Sequence, residues 1–180
     1  MTQSLTRTRQ EKLGTRQEDE LAIHQLKARY CRYVDTKQWA QLRTLFTDDA
    51  RFEGFGSAPD GSSADQFVAG VSKRLETAIS VHHCHMPELA FNGEGQAKGI
   101  WAMQDFLQWP SPIVLREAPD AVGFTGYGHY EEAYRRENDQ WLICFMRLTR
   151  LRVDPVTKNT QWPQLDNLRR ASPDWLELIS

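Results

Sequence analysis

The stretch VHHCHMPEL, Val81 to Leu89, sets His82, His83 and His85 around Cys84, while only His24 and His129 lie elsewhere. Imidazole is the commonest metal ligand and also the side chain whose ordinary pKa lies nearest neutrality, so coordination and proton abstraction compete as explanations. Alternation along an extended strand sends His82, Cys84 and Met86 to one face and His83 and His85 to the other. Each face then offers two ligands where a tight zinc site takes three or four, so no metal is expected here. A general base remains, beside the plainer account of satisfied polar groups at a sheet edge or subunit contact. The aromatic residues Trp101, Phe106, Trp109, Phe124 and Tyr127 could line an apolar cavity for a ring-bearing substrate, although a core needs similar residues.

The elements that must carry these groups can be read from periodicity. Leu21, Ile23, Leu26, Tyr30, Tyr33 and Val34 recur at roughly helical spacing from about Glu18. WAQLRTLF predicts a second, short helix and RFEGFG a first strand. A third helix is expected over SSADQFVAGVSKRLETAIS, with Ser63 and Gln66 as a capping box and Phe67, Val71, Leu75 and Ile79 as its buried face. VHHCHMPELAFN, GQAKGIWAMQDFLQW, VGFTGYGHYEEAYRRE and QWLICFMRLTRLRVD then read as four long strands of an antiparallel meander, with turns at Asn92-Gly93 and Asn138-Asp139. In the last, Trp141, Ile143 and Phe145 oppose Leu142, Cys144 and Met146. Helices first and a meander second is an α+β pattern.

A chain of 180 residues suits a single domain, here 18–154, between a flexible arm at 1–17 and a tail at 155–180 containing Trp162 and Trp175. The formal net charge of -2 and the interleaving of acids with bases argue against nucleic acid and charged membranes. The N-terminal stretch has no apolar segment of signal-peptide type, and nothing later is long enough to span a bilayer, so a cytoplasmic protein is expected. Cys31, Cys84 and Cys144 are far apart in sequence and form no C-x-x-C pair, so free thiols are expected.

Several motifs, taken in order, resemble one family. R-Y-x-x-x-x-D at the first helix, H-x-x-H-x-P-E after the third, G-x-W-x-x-x-D on the next strand and an arginine nine residues after Trp141 are similar to the SnoaL-like proteins, most closely the bile-acid 7α-dehydratase type. The match runs from about Leu21 to Val153. It implies the nuclear transport factor fold, a cone-shaped half-barrel of curved antiparallel sheet closed by N-terminal helices around an apolar pocket. It also implies a catalytic set of His82, Asp35 and Tyr30, with Arg150, Asp105, Trp101, Tyr127 and His83 as substrate-binding residues. In that family the catalytic histidine lies five residues before the proline, which is Pro87 here, so the resemblance gives His82 as the base, with His83 the alternative ring beside it.

In this scheme Asp35 fixes the His82 tautomer, Tyr30 assists a departing hydroxyl or polarises a carbonyl, and Arg150 holds an anion or Asp35 itself. Tyr30 and Asp35 lie about 140° apart around an ideal helix, so they share a pocket only if the helix end projects into it. The expected protein is a cofactor-independent dehydratase acting on a hydroxylated polycyclic or aromatic small molecule, steroid-like or polyketide-like, as a homodimer or homotrimer. An isomerase or cyclase on a related ketone, and a non-catalytic small subunit or ligand-binding protein of the same fold, stay open as alternatives.

Overall fold

The structure, a computed structural model, describes residues 2–93, 95–113 and 118–157, with side chains from 16 onward. Three helices, α1 (Thr2–Asp35), α2 (Trp39–Arg43) and α3 (Ala64–Leu75), accompany five strands: β1 (Phe46–Glu53), β2 (Ile79–Phe91), β3 (Gln96–Gln108), β4 (Ala121–Glu137) and β5 (Gln140–Thr157). The strands form one open sheet in the order β1-β5-β4-β3-β2. The meander β2 to β5 is antiparallel as expected, whereas β1 adds to the β5 edge in parallel. The result is the α+β half-barrel closed by helices that the sequence suggested.

Several boundaries move. Helix α2 stops at Arg43, and Phe46 opens β1 rather than closing the helix, so the first strand starts before RFEGFG. The capping box at Ser63 and Gln66 forms, but α3 ends at Leu75 and Ile79 is a half-exposed residue of β2 rather than part of the helix's buried face. On α1, Ile23, Leu26, Tyr30 and Val34 make the buried stripe, while Leu21 is exposed. The arm proposed at 1–17 falls mostly on residues whose side chains lie outside those described. The tail falls mostly outside too, with 155–157 ending β5.

Two bulges redirect side chains. One between Cys84 and Pro87 breaks strand alternation, so Met86 is 91% exposed instead of sharing the inner face with His82. Another leaves Cys144 as the extra residue between Ile143 and Phe145, which removes Phe145 from the face of Trp141 and Ile143 and puts Met146 into the core. The β4–β5 hairpin closes on Asn138 and Asp139 at φ 48° and 62°, the left-handed pair that matches strand twist.

The concave face carries the core. Phe52 stacks on Phe67 at 4.0 Å between centroids and meets Phe46 edge-on at 4.9 Å, which joins α3 to β1. Among these apolar groups lies one fully buried ion pair, Lys27 on α1 with Glu132 on β4. The Lys27 Nζ also sits 3.7 Å from the Tyr130 ring centroid and 4.3 Å from that of Tyr30. Glu132 accepts from the Tyr134 hydroxyl, which in turn accepts from Trp101 Nε1 at 2.7 Å. Burial lowers the Lys27 pKa, but Glu132, Cys84 and Cys31 together outweigh it and the net direction is upward. The lysine's raised pKa therefore contributes stability that is complete below its unfolded value and fades only as pH climbs through the raised one. It gives no stability change across neutral pH.

Removing one partner strands a buried charge. Lys27→Met is expected to lower the unfolding free energy in urea by about 3–5 kcal/mol. Combining it with Glu132→Gln should recover part of that loss, and full additivity in the double variant would show that the pair is not coupled.

Candidate active site

Helix α1 ends where chemistry needs it to. Lys37 adopts φ 61°, and the Lys37 and Gln38 N–H groups turn back to the Val34 and Tyr33 carbonyls at 3.3 and 2.8 Å, a left-handed cap that stops the helix after Asp35. A carboxylate at a helix C-terminus is disfavoured by the macrodipole, so it needs donors from elsewhere. His82 on β2 supplies two. Its Nδ1 lies 2.6 Å from Asp35 Oδ1, and its backbone N–H donates to Oδ2 at 2.8 Å. An ionised carboxylate only accepts, so the neutral ring carries its proton on Nδ1 and leaves Nε2 as the basic nitrogen.

His82 forms part of the wall of a cavity of about 250 Å³ between the sheet, α1 and α3. Tyr30, Tyr130, Asp105, Arg150 and Phe124 also line it. Directly across the strands His82 pairs with Asp105, and Asp105 with Gly126, which makes one row on the concave face. Arg150 reaches over that row and grips Asp105 in a fork, with contacts of 2.6 and 2.5 Å. Asp105 is 2% exposed and Arg150 26%, so the guanidinium keeps one side toward the cavity. Burial pulls the Arg150 pKa down, the fork with Asp105 pulls it up, and the net is upward.

Tyr30 and Tyr130 are both buried, with ring centroids 5.8 Å apart and edges meeting faces. Burial pushes both phenols well above their ordinary range, so each remains an O–H donor near neutral pH. The site thus holds a buttressed base, two neutral phenols and a charge-compensated guanidinium inside apolar walls.

Not every residue singled out from the sequence belongs to this cavity. Asp35 does not line it and acts from behind His82, which resolves the wide angle between Tyr30 and Asp35 on the helix. His83 is exposed on the outer face. Tyr127 lies opposite in alternation to the inward Gly126, Gly128 and Tyr130, and is not part of the wall. Trp101 is buried on the inner face but borders a separate surface groove with His24 and Lys27. Of the five aromatic residues expected at the cavity, Phe124 alone lines it. Among the described residues no group of three or more His, Cys, Asp or Glu is placed to hold a metal ion, and no helix is long and apolar enough to cross a membrane.

Tyr130 and Gly126 were missed in the sequence. The signal for both is the alternation in GFTGYGHY, where Gly126 and Gly128 face inward between Phe124 and Tyr130. A Cβ at Gly126 would stand 2.0 Å from Arg150 Nη1 and 2.3 Å from Asp105 Oδ1. Gly126→Ala is therefore expected to displace the forked pair and cost about 1–3 kcal/mol by urea denaturation. An unchanged stability together with an intact pair in the variant's structure would contradict this.

The comparisons with known proteins agree with the architecture. A probable cyclase from Gibberella zeae is 27% identical over 141 residues, covering 72% of this chain and 89% of that protein. A hexachlorocyclohexane dehydrochlorinase, LinA type 2, superposes with a TM-score of 0.66 at 18% identity, over 83% of this chain and 96% of its own. A candidate scytalone dehydratase from Novosphingobium aromaticivorans gives a TM-score of 0.66 at 14% identity, over 83% and 99%. At these identities the two structures speak for the fold alone. The model of the SnoaL-like domain matches residues 15–147, which include the end of α1, the whole histidine strand and the β4 row, and the chain belongs to the SnoaL-like family.

Proposed function

We propose that this protein is a cofactor-independent lyase that removes water from a compact hydroxylated ketone, with His82 as the base. The observation that carries the proposal is the double hold of Asp35 on His82, through ring and backbone, at the wall of a cavity that also contains two neutral phenols. In the proposed reaction, Nε2 takes a proton from the carbon next to the carbonyl, and the electron pair passes into an enolate. Tyr30 then gives its proton to the departing hydroxyl, which leaves as water. The imidazolium returns its proton to the phenolate, so the net loss is one water. Arg150 lies where it can hold the enolate oxygen, its charge partly balanced by Asp105.

Elimination of a small molecule is also the reaction named for the dehydrochlorinase and the candidate dehydratase, and cyclisation for the Gibberella protein. The bile-acid dehydratase-like motifs support the base assignment more than the substrate. A cavity of about 250 Å³ lies below the roughly 300–1,000 Å³ usual for drug-sized ligands. That size favours one or two fused rings over a four-ring steroid, and so a polyketide-like aromatic ketol.

The test is turnover of a panel of mono- and bicyclic hydroxy-ketones, followed by product mass. Loss of one water is expected, with His82→Ala slower by about 10²–10⁴-fold and His83→Ala close to wild type. A product of unchanged mass would make the enzyme an isomerase or cyclase, and full activity in folded His82→Ala would remove the base assignment altogether.

A further inference from the structure

Behind His82, on the side away from the cavity, runs an open groove lined by His24, Lys27, Cys31, Cys84, Met86 and Trp101 among others. His82 borders both spaces. In the groove the thiols of Cys31 on α1 and Cys84 on β2 stand 3.4 Å apart, both free, although 53 residues separate them. Their places are not arbitrary. Cys31 is one helical turn before Asp35, and Cys84 is two residues after His82 on the same inner face. The Cys31–Cys84 contact therefore runs beside the Asp35–His82 hydrogen bond and joins the same two elements.

We propose that Cys31 and Cys84 are a redox pair, oxidised by hydroperoxides to a reversible disulfide that fastens α1 to β2 beside Asp35 and His82. Cys84 is assigned as the attacking sulfur: its contact with Cys31, in which either thiol can donate, lowers its pKa, burial opposes this, and the Lys27 ammonium adds to the lowering. Cys31 is shifted the other way by the same hydrogen bond and by burial, which suits the resolving thiol. The Cys84 thiolate attacks one peroxide oxygen, the O–O bond breaks, and the other oxygen leaves as water or an alcohol after taking a proton. Cys84 is then a sulfenic acid. The Cys31 sulfur attacks the Cys84 sulfur, the S–O bond breaks, and a second water leaves. Two electrons pass from the two thiols to the peroxide. The sulfurs stand 3.4 Å apart and must close to the roughly 2 Å of a disulfide. This inference does not depend on the proposed dehydration.

The experiment treats the full-length protein with a slight excess of hydrogen peroxide, alkylates the remaining thiols and maps the peptides by mass spectrometry. The expected product links the Cys31 and Cys84 peptides with loss of two hydrogens, leaves Cys144 alkylated and returns to free thiols with dithiothreitol. Cys144 has its pKa raised by burial, so oxidation of Cys84 should outpace it by about tenfold or more. Cys31→Ser should stop at a sulfenic acid on Cys84 that dimedone traps, and Cys84→Ser should leave Cys31 reduced. Alkylation of both Cys31 and Cys84 after peroxide, or a link that includes Cys144, would overturn the proposal.

Discussion

The Asp35 carboxylate organises the site because it joins the end of one helix to the middle of one strand. By accepting the ring and the backbone N–H of the same histidine, it fixes the position, the plane and the tautomer of His82 together. The left-handed Lys37 ends the helix directly after this acid. His82 itself forms part of the cavity wall.

The opposite wall depends on charge. Arg150 and Asp105 compensate each other over Gly126, and Lys27 and Glu132 do the same deeper in the core beneath Tyr30 and Tyr130. Pairs of this kind add little to stability over well-packed apolar groups, yet they cannot be half removed. Lys27–Glu132 ties α1 to β4 beside Tyr30, whereas Arg150–Asp105 ties β5 to β3. In the proposed reaction an enolate would gain from such fixed dipoles, since they need no reorganisation.

Much of this was legible in the sequence. The four long strands, the stripe on α1 and the capping box on α3 follow from local periodicity and chain chemistry, and the structure reproduces them within a few residues. The choice of His82 over His83 followed from the distance to Pro87 and agrees with alternation up to the bulge at Cys84–Pro87. What escaped was non-local. A bulge is set by partner strands and carries no fixed local signature, so Met86 and Phe145 were placed on the wrong faces. Parallel pairing of β1 with β5 is a matter of topology, and the burial of Lys27 depends on a partner 105 positions away. The contact between Cys31 and Cys84 was invisible for the same reason.

The central claim is that Asp35 holds His82 as a base facing the cavity. Nitrogen-15 NMR of the selectively labelled imidazole tests it directly. In neutral His82 the proton should reside on Nδ1, with a bare Nε2, and this preference should vanish in Asp35→Asn. A proton on Nε2 in the wild-type protein would contradict the account, since the nitrogen facing the cavity could then only donate.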